Sequence, residues 1–258
     1  MLASVKPWPN KHNLQALWVP VSLMLLLAWV VWSMPGWEPW FQQLQPNTRT
    51  VIYERDTFAY LLWQHLRLVA IATVGSVMLG LGAAIVVTRP WGRDFLPLVN
   101  QVASIGQTVP PVAVLALAVP VLGFGNNATI VALLLYGLLP IVRNSLAGLS
   151  GVNPAVLEAA RGMGLSASQI LWRVELPLAS RVILAGVRTT VTFGIATAAI
   201  GSTVGARTLG DPIISGLVNG NNAYILQGAI LIGLLAITLD VLLGTLHRWL
   251  PGENISAS

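Results

Sequence analysis

Uninterrupted apolar runs of about twenty residues recur along this chain of 258 residues, each bounded by short polar connections. A helix of that length matches the ~30 Å hydrocarbon core of a bilayer, so each run is a candidate membrane crossing. The runs fall at residues 14–34, 66–88, 96–122, 128–149, 179–204 and 223–246 and predict six spans. Composition agrees: 55% of the residues are hydrophobic and 9% charged, more apolar side chain than one soluble core can hide. The expected fold is all-α, a polytopic membrane protein. A single domain occupies residues 14–250, with tails at 1–13 and 251–258.

Charge sets the orientation. Lys6, Lys11, Arg89, Arg93, Arg143, Arg161, Arg173, Arg181 and Arg248 fall on one side of this map. Arg49, Arg55, Arg67 and Arg207 fall on the other, partly balanced by Glu38, Glu54, Asp56 and Asp211. Basic residues collect on the cytoplasmic side, so both termini are expected there. Trp32-Ser33-Met34-Pro35 lacks a small-x-small cleavage pattern, so the first run reads as a retained helix.

Several function classes fall away. The formal charge of +5 is scattered between apolar runs, which argues against nucleic acid as a partner. The absence of cysteine removes disulfides, thiolate metal sites and cysteine nucleophiles. His12, His65 and His247 lie far apart, and neither a metal nor a cofactor is expected. The only lysines are Lys6 and Lys11, so there is no Gly-x-x-x-x-Gly-Lys phosphate loop, and any driving ATP must sit on another subunit. A membrane enzyme would need paired carboxylates, histidines or a nucleophile at depth. Well inside the spans stand only Arg188 and Asp240. Each lies seven residues from the same interface, counted from Arg181 and from His247, so they share a depth. A lone charge there costs about 3 kcal/mol on insertion scales. They are expected to pair, directly or through one water; the alternative is separate snorkelling.

Other features place the connections. Pro110-Pro111 interrupts the third span, removing two backbone donors. Broken backbone at membrane depth is tolerated where it is packed in protein or lines a cavity. Gln107, Thr108, Pro110 and Pro111 are therefore candidates for a substrate pathway, unless the prolines merely kink a packed helix. Gly75, Gly80 and Gly82 allow close helix approach, and Gly201 with Gly205 makes a small-xxx-small face. Residues 35–60 form the longest polar connection, with Trp37, Trp40, Tyr53 and Tyr60 as an interfacial belt or an external docking surface. Residues 205–222 form a second external connection, and Asn127 is a candidate cap for the fourth span.

Residues 153–177 read as a hairpin of two short helices, each too short to cross a bilayer. Asn153 can cap the first, with Pro154 at its first position. Val156, Ala159, Ala160 and Met163 share one face, while Glu158 and Arg161 lie off it and can pair. Gly164 suits the stop, Ser166 with Gln169 forms a capping box for the second helix, and Pro177 ends the segment. Such an alanine-faced hairpin can dock into a groove on a soluble partner.

Glu158-Ala159-Ala160, Gly164 and Val174-Glu175-Leu176-Pro177 stand at the spacing of the EAA loop, and the chain resembles the permease subunits of ABC importers. The resemblance covers roughly residues 60–247 and implies the small type I importer permease fold, with 153–177 as the coupling hairpin. It implies that Glu158, Ala159, Ala160, Gly164, Leu176 and Pro177 carry coupling to cytoplasmic ABC ATPase subunits. It also implies a second permease copy or sister permease, an extracytoplasmic solute-binding protein, a lipid environment and a bacterial inner membrane. The permease itself does no chemistry. The stretches 199–206, 209–211 and 213–217, with Gln227-Gly228-Ala229, are similar to permeases for glycine betaine, choline and carnitine. Arg207-Thr208 depart from the glycine-rich pattern of those relatives. An amino-acid permease such as one for methionine shares fold and loop, and a secondary transporter also uses broken helices.

Overall fold

The computed structural model describes residues 17–249. The expected tails, and with them Lys6, Lys11 and His12, lie outside the described residues, as does the side chain of Gln107. The helices are α1 (Trp18–Ser33), α2 (Glu38–Leu44), α3 (Phe58–Thr88), α4 (Leu96–Thr108), α5 (Pro111–Leu122), α6 (Asn126–Ser150), α7 (Pro154–Gly162), α8 (Ala167–Ile170), α9 (Leu176–Ile200), α10 (Asp211–Asn219) and α11 (Asn222–Trp249). Among the described residues, five helical stretches are long and apolar enough to cross a membrane: Trp18–Leu44, Phe58–Thr88, Asn126–Ser150, Ala167–Val204 and Asn222–Arg248.

The third expected span is not one helix. Val109 (ψ 129°) and Pro110 (ψ 141°) leave the helical region and divide it into α4, of 13 residues, and α5, of 12. The residue before a proline is pushed out of helical geometry, and Pro111 then serves as a first helical residue. The pair breaks the helix outright rather than kinking it. The Pro110 carbonyl accepts from the Ala113 amide at 2.9 Å and so starts α5.

The long connections are also more structured than expected. Residues 35–60 contain a 3-10 turn and α2, and residues 205–222 contain α10, whose Pro212 occupies its first turn. Asn127 is not a cap: α6 starts one residue earlier, with Gly125 in the cap position.

The centre of the bundle is α6, flanked by α3 on one side and α9 on the other. Gly137 of α6 makes this sandwich possible, because a Cβ there would fall 2.5 Å from Ser76 Oγ and 2.7 Å from the Thr190 methyl. Gly75 and Gly80 also face α6, whereas Gly82 faces open space. The expected Gly201–Gly205 face divides in the same way. Gly201 fits against Thr129, while Gly205 takes a φ of +82° and closes a turn. The main apolar core runs from α1 through α3 to α9 and α11, with Met34, Phe41, Leu61, Leu68, Ile195 and Leu231 fully buried in it.

One end of the bundle carries α7 and α8. At the opposite end, residues 45–57 fold over the start of α11. Gln227, fully buried, donates to the Val51 carbonyl at 2.6 Å and accepts from the Tyr53 amide at 3.0 Å. Asn221 donates to the Thr50 carbonyl at 2.9 Å, and Gln45 spans the Gly220 carbonyl and the Asn222 amide, each at 2.9 Å.

Within the spans, the Arg188 guanidinium meets Asp240 through two hydrogen bonds of 2.6 Å, tying α9 to α11. The pair borders a cleft of about 430 Å³ that also touches Thr189, Thr192, Phe193 and His247. Both side chains keep about 40% of their exposure in the isolated chain, so in lipid they depend on each other for neutralisation. Asp240→Asn should lower the yield of folded protein several-fold, since it strands a guanidinium at depth. Arg188→Gln combined with Asp240→Asn should regain most of it, as read by the monodisperse fraction after detergent extraction. Equal losses in the single and double variants would show that the pair does not support folding.

Candidate functional site

The hairpin is built as its sequence dictates at each terminus. The Asn153 side chain accepts from the Ala155 amide at 2.9 Å, and Pro154 opens α7. At the other end of α7, Gly164 takes a φ of +81°. The Leu165 amide reaches back to the Ala160 carbonyl at 3.2 Å and the Gly164 amide to Arg161 at 2.9 Å. This crossed pair of bonds satisfies carbonyls that a helix end otherwise leaves bare. Ser166 and Gln169 exchange both bonds of a capping box, at 2.8 and 3.3 Å.

Two local expectations are corrected, and burial divides the face of Val156, Ala159, Ala160 and Met163: Ala160 is buried within the chain, while Ala159 is exposed and Met163 is 74% exposed. The α7 axis is therefore rotated so that Leu157 and Ala160 face the body and Glu158, Ala159 and Met163 face outward. Glu158 and Arg161 do not form an ion pair among the described residues. Nor does Pro177 end the segment. The second arm runs on through α8 and a π-turn at Leu171–Glu175 into α9, so that Ala167–Val204 is a continuous helical stretch of 38 residues. The wider turn re-spaces the carbonyls ahead of Pro177, which has no N–H to give and would otherwise crowd the carbonyl four residues back.

The root of the hairpin is held by a contact that spacing alone did not suggest. Glu175, the last residue of the π-turn, is buried and paired with Arg89 at the C-terminal end of α3. The guanidinium uses both terminal nitrogens, the longer bond measuring 3.2 Å. Ile85 of α3 joins Leu149, Leu171 and Leu176 in a small apolar cluster of its own. Outside that root, Trp172 is 67% exposed. The hairpin thus presents Glu158, Ala159, Arg161, Met163, Trp172 and Arg173 outward, a mixed charged and apolar surface on a stem tied to α3.

The candidate pathway residues lie on the broken pair α4–α5. Thr108 is exposed and donates to the Ile105 carbonyl of its own helix at 2.9 Å; Pro110 is exposed and Pro111 half-buried. Only one line of α4, around Ala103, packs inward, against Leu139 and Val142 of α6. Leu98, Val102 and Ile105 on its other side are each more than half exposed.

At the end opposite the hairpin two adjoining clefts, of about 540 and 200 Å³, open between residues 50–55 and α10 and share Arg55, Ile214 and Ser215. Arg207, which lines the smaller cleft, reaches Asp56 at 3.0 Å and Asp211 at 3.5 Å. The Asp56 carboxylate is the main reason the Arg207 guanidinium is held above its ordinary pKa. Burial pushes the Asp211 carboxyl up, while Ser202 and Arg207 pull it down. Thr208 is buried and bonds to Ser202 at 2.8 Å and to the Gly210 amide at 2.9 Å. The two residues that depart from the glycine-rich pattern therefore brace α10 against the end of α9.

Comparison with known proteins gives the arrangement its family. Residues 76–251 match the family described as binding-protein-dependent transport system inner membrane component. The chain is 34% identical to the osmoprotectant import permease protein OsmY of Salmonella typhimurium over 91% of its length and 94% of that protein's. It is 38% identical to the carnitine transport permease protein OpuCD of Listeria monocytogenes, over 74% and 86% of the two chains. It is 37% identical to the choline transport system permease protein OpuBB of Bacillus subtilis, over 80% and 91%. Among solved structures, the MetNI methionine ABC transporter in an inward-facing conformation superposes with a TM-score of 0.65 at 22% identity, over 73% of this chain and 94% of that one. That likeness concerns the fold alone. An all-helical multi-pass bundle with a capped hairpin at one end, matched over most of its length by transport permeases, is a member of the binding-protein-dependent transport system inner membrane component family.

Proposed function

We propose that this chain is the permease of an ATP-driven, binding-protein-dependent importer for osmoprotectants of the glycine betaine, choline and carnitine class. The reading is carried by the hairpin, whose Glu158 and Ala159 face outward on a stem anchored at Glu175. The solute class rests on the relatives, whose names carry osmoprotectant, carnitine and choline. The hairpin end is cytoplasmic, because Arg89, Arg93, Arg161, Arg173 and Arg248 gather there, and both termini lie on that side.

The parts then divide the work. A cytoplasmic ABC ATPase subunit receives the hairpin. Ala159 offers no bulk to the receiving groove and Glu158 meets a basic group in it. Ala160, Gly164, Leu176 and Pro177 shape the hairpin and its stem rather than touch the partner. A second permease copy, or a sister permease, covers the exposed apolar side of α4. The broken pair, with Gln107, Thr108, Pro110 and Pro111, then lines a route between two chains. An extracytoplasmic solute-binding protein docks at the opposite end, over the clefts beside α10. ATP hydrolysis belongs to the ATPase subunit, and this chain performs no bond chemistry.

The decisive experiment is uptake by the complete complex in vesicles. Labelled glycine betaine should enter only with ATP and the ATPase subunit, and unlabelled choline or carnitine should compete where methionine does not. Competition by methionine alone would mark an amino-acid permease, and uptake without the ATPase subunit would mark a secondary transporter. Gly164→Asp forces a side chain into a left-handed position and so distorts the turn between the hairpin's two arms. It should cut uptake at least roughly tenfold while solute binding by the external protein is unchanged. Gln107→Leu and Pro111→Ala should each slow uptake with coupling to ATP intact; wild-type flux in both would remove α4–α5 from the route.

A further inference from the structure

The Arg89–Glu175 pair has no place in solute recognition, and its position gives it another task. Glu175 sits where the hairpin stem becomes a span, at the end of the π-turn. Arg89 is the residue that ends α3, a helix of 31 residues and hence about 46 Å long. The joint is largely shielded: Glu175 is 8% exposed and the Arg89 side chain keeps 20% of its exposure. A bidentate pair of this kind resists both separation and rotation.

The far end of α3 is tied as firmly. His65 is fully buried, with Nε2 at 3.1 Å from the Ile195 carbonyl of α9 and Nδ1 accepting the Leu209 amide at 3.3 Å. A neutral ring protonated on Nε2 satisfies both. Between the two ends, Ser76 donates to the Leu134 carbonyl of α6 at 2.9 Å. The helix is therefore bonded near each extremity to the continuous stretch Ala167–Val204 that contains α9. Its far end also holds Leu209, next to Gly210, where a Cβ would fall 2.1 Å from the Ala199 carbonyl. Little slack exists between that turn, α10 and the clefts.

We propose that Arg89 and Glu175 are a positioning pair that makes α3 and α9 move with the coupling hairpin as one frame. A displacement of the hairpin by its partner is then delivered along α3 to the turn at Leu209 and so to the opposite mouth. The inference rests on the importer reading above and adds the residues through which the stroke is transmitted. Without the pair, the hairpin can swing on the π-turn while α3 stays behind.

The test uses the full complex in vesicles, with glycine betaine as the solute and cysteine-free partner subunits; this chain has no cysteine of its own. Glu175→Gln should lower uptake about tenfold while ATP hydrolysis continues, so that more ATP is spent per solute. The exchange Arg89→Glu with Glu175→Arg should restore much of the loss. In Arg89→Cys/Glu175→Cys, uptake should be low, should rise several-fold when a cleavable bis-thiosulfonate joins the two positions, and should fall again on reduction. Because the tether is made and broken in one preparation, a folding defect cannot mimic that sequence. Wild-type coupling in Glu175→Gln would overturn the proposal. So would uptake and hydrolysis falling together in proportion to assembled complex, or a tether that forms without raising uptake, or no tether at all. A wild-type complex that imports none of the tested solutes with ATP would overturn the importer reading itself, and the transmission role with it.

Discussion

A peptide group stripped of water in hydrocarbon costs several kcal/mol unless it is hydrogen-bonded, and the structure is organised by that cost. Helix is the answer wherever the chain is surrounded by apolar side chains. The departures from helix each carry their own remedy. At Val109–Pro110 the chain loses donors that proline never had. At Gly123–Gly125 the turn returns its Gly125 amide to the Val204 carbonyl at 2.6 Å. At Leu171–Glu175 the helix widens by one residue per turn rather than opening.

The same cost governs the charges. Ion pairs among the described residues sit at several levels, including Arg89–Glu175 at the hairpin root, Arg188–Asp240 within the spans, and Arg207 with Asp56 and Asp211 at the opposite end. Each joins segments distant in sequence. In water such pairs contribute little. Where water is scarce, an unpartnered member is expensive, so the pair specifies which helices must be neighbours. Gln227 and His65 do the same with neutral groups, since each is fully buried and each binds two backbone atoms outside its own helix.

Local chemistry was readable residue by residue where only neighbours in sequence were involved. Asn153, Gly164 and the Ser166–Gln169 box act on amides and carbonyls within a few positions, so no tertiary information was needed. Depth was readable for Arg188 and Asp240 because helical rise is constant: equal counts from one interface mean equal height. Reading failed where a third body decides. Pro177 looked like a terminus, because the π-turn that absorbs it is stabilised by the burial of Glu175 and the packing of Leu171. Ala159 and Ala160 are indistinguishable in the sequence, and only the docking angle of α7 turns one outward and the other in. The nine-residue helix α10 was hidden in a glycine- and asparagine-rich connection, where it makes only about two and a half turns.

What the sequence determined unaided was the solvent and the one-dimensional order of the parts. Hydrocarbon-length apolar runs, their basic flanks and the capped hairpin follow from transfer energies and short-range hydrogen bonding, which act along the chain. What only the tertiary structure decided was which helices share a boundary: α6 between α3 and α9, the hairpin root clamped to α3, residues 45–57 latched by Gln227. Those choices depend on complementary surfaces and on partners for buried polar groups, and such partners are brought together only when distant segments pack.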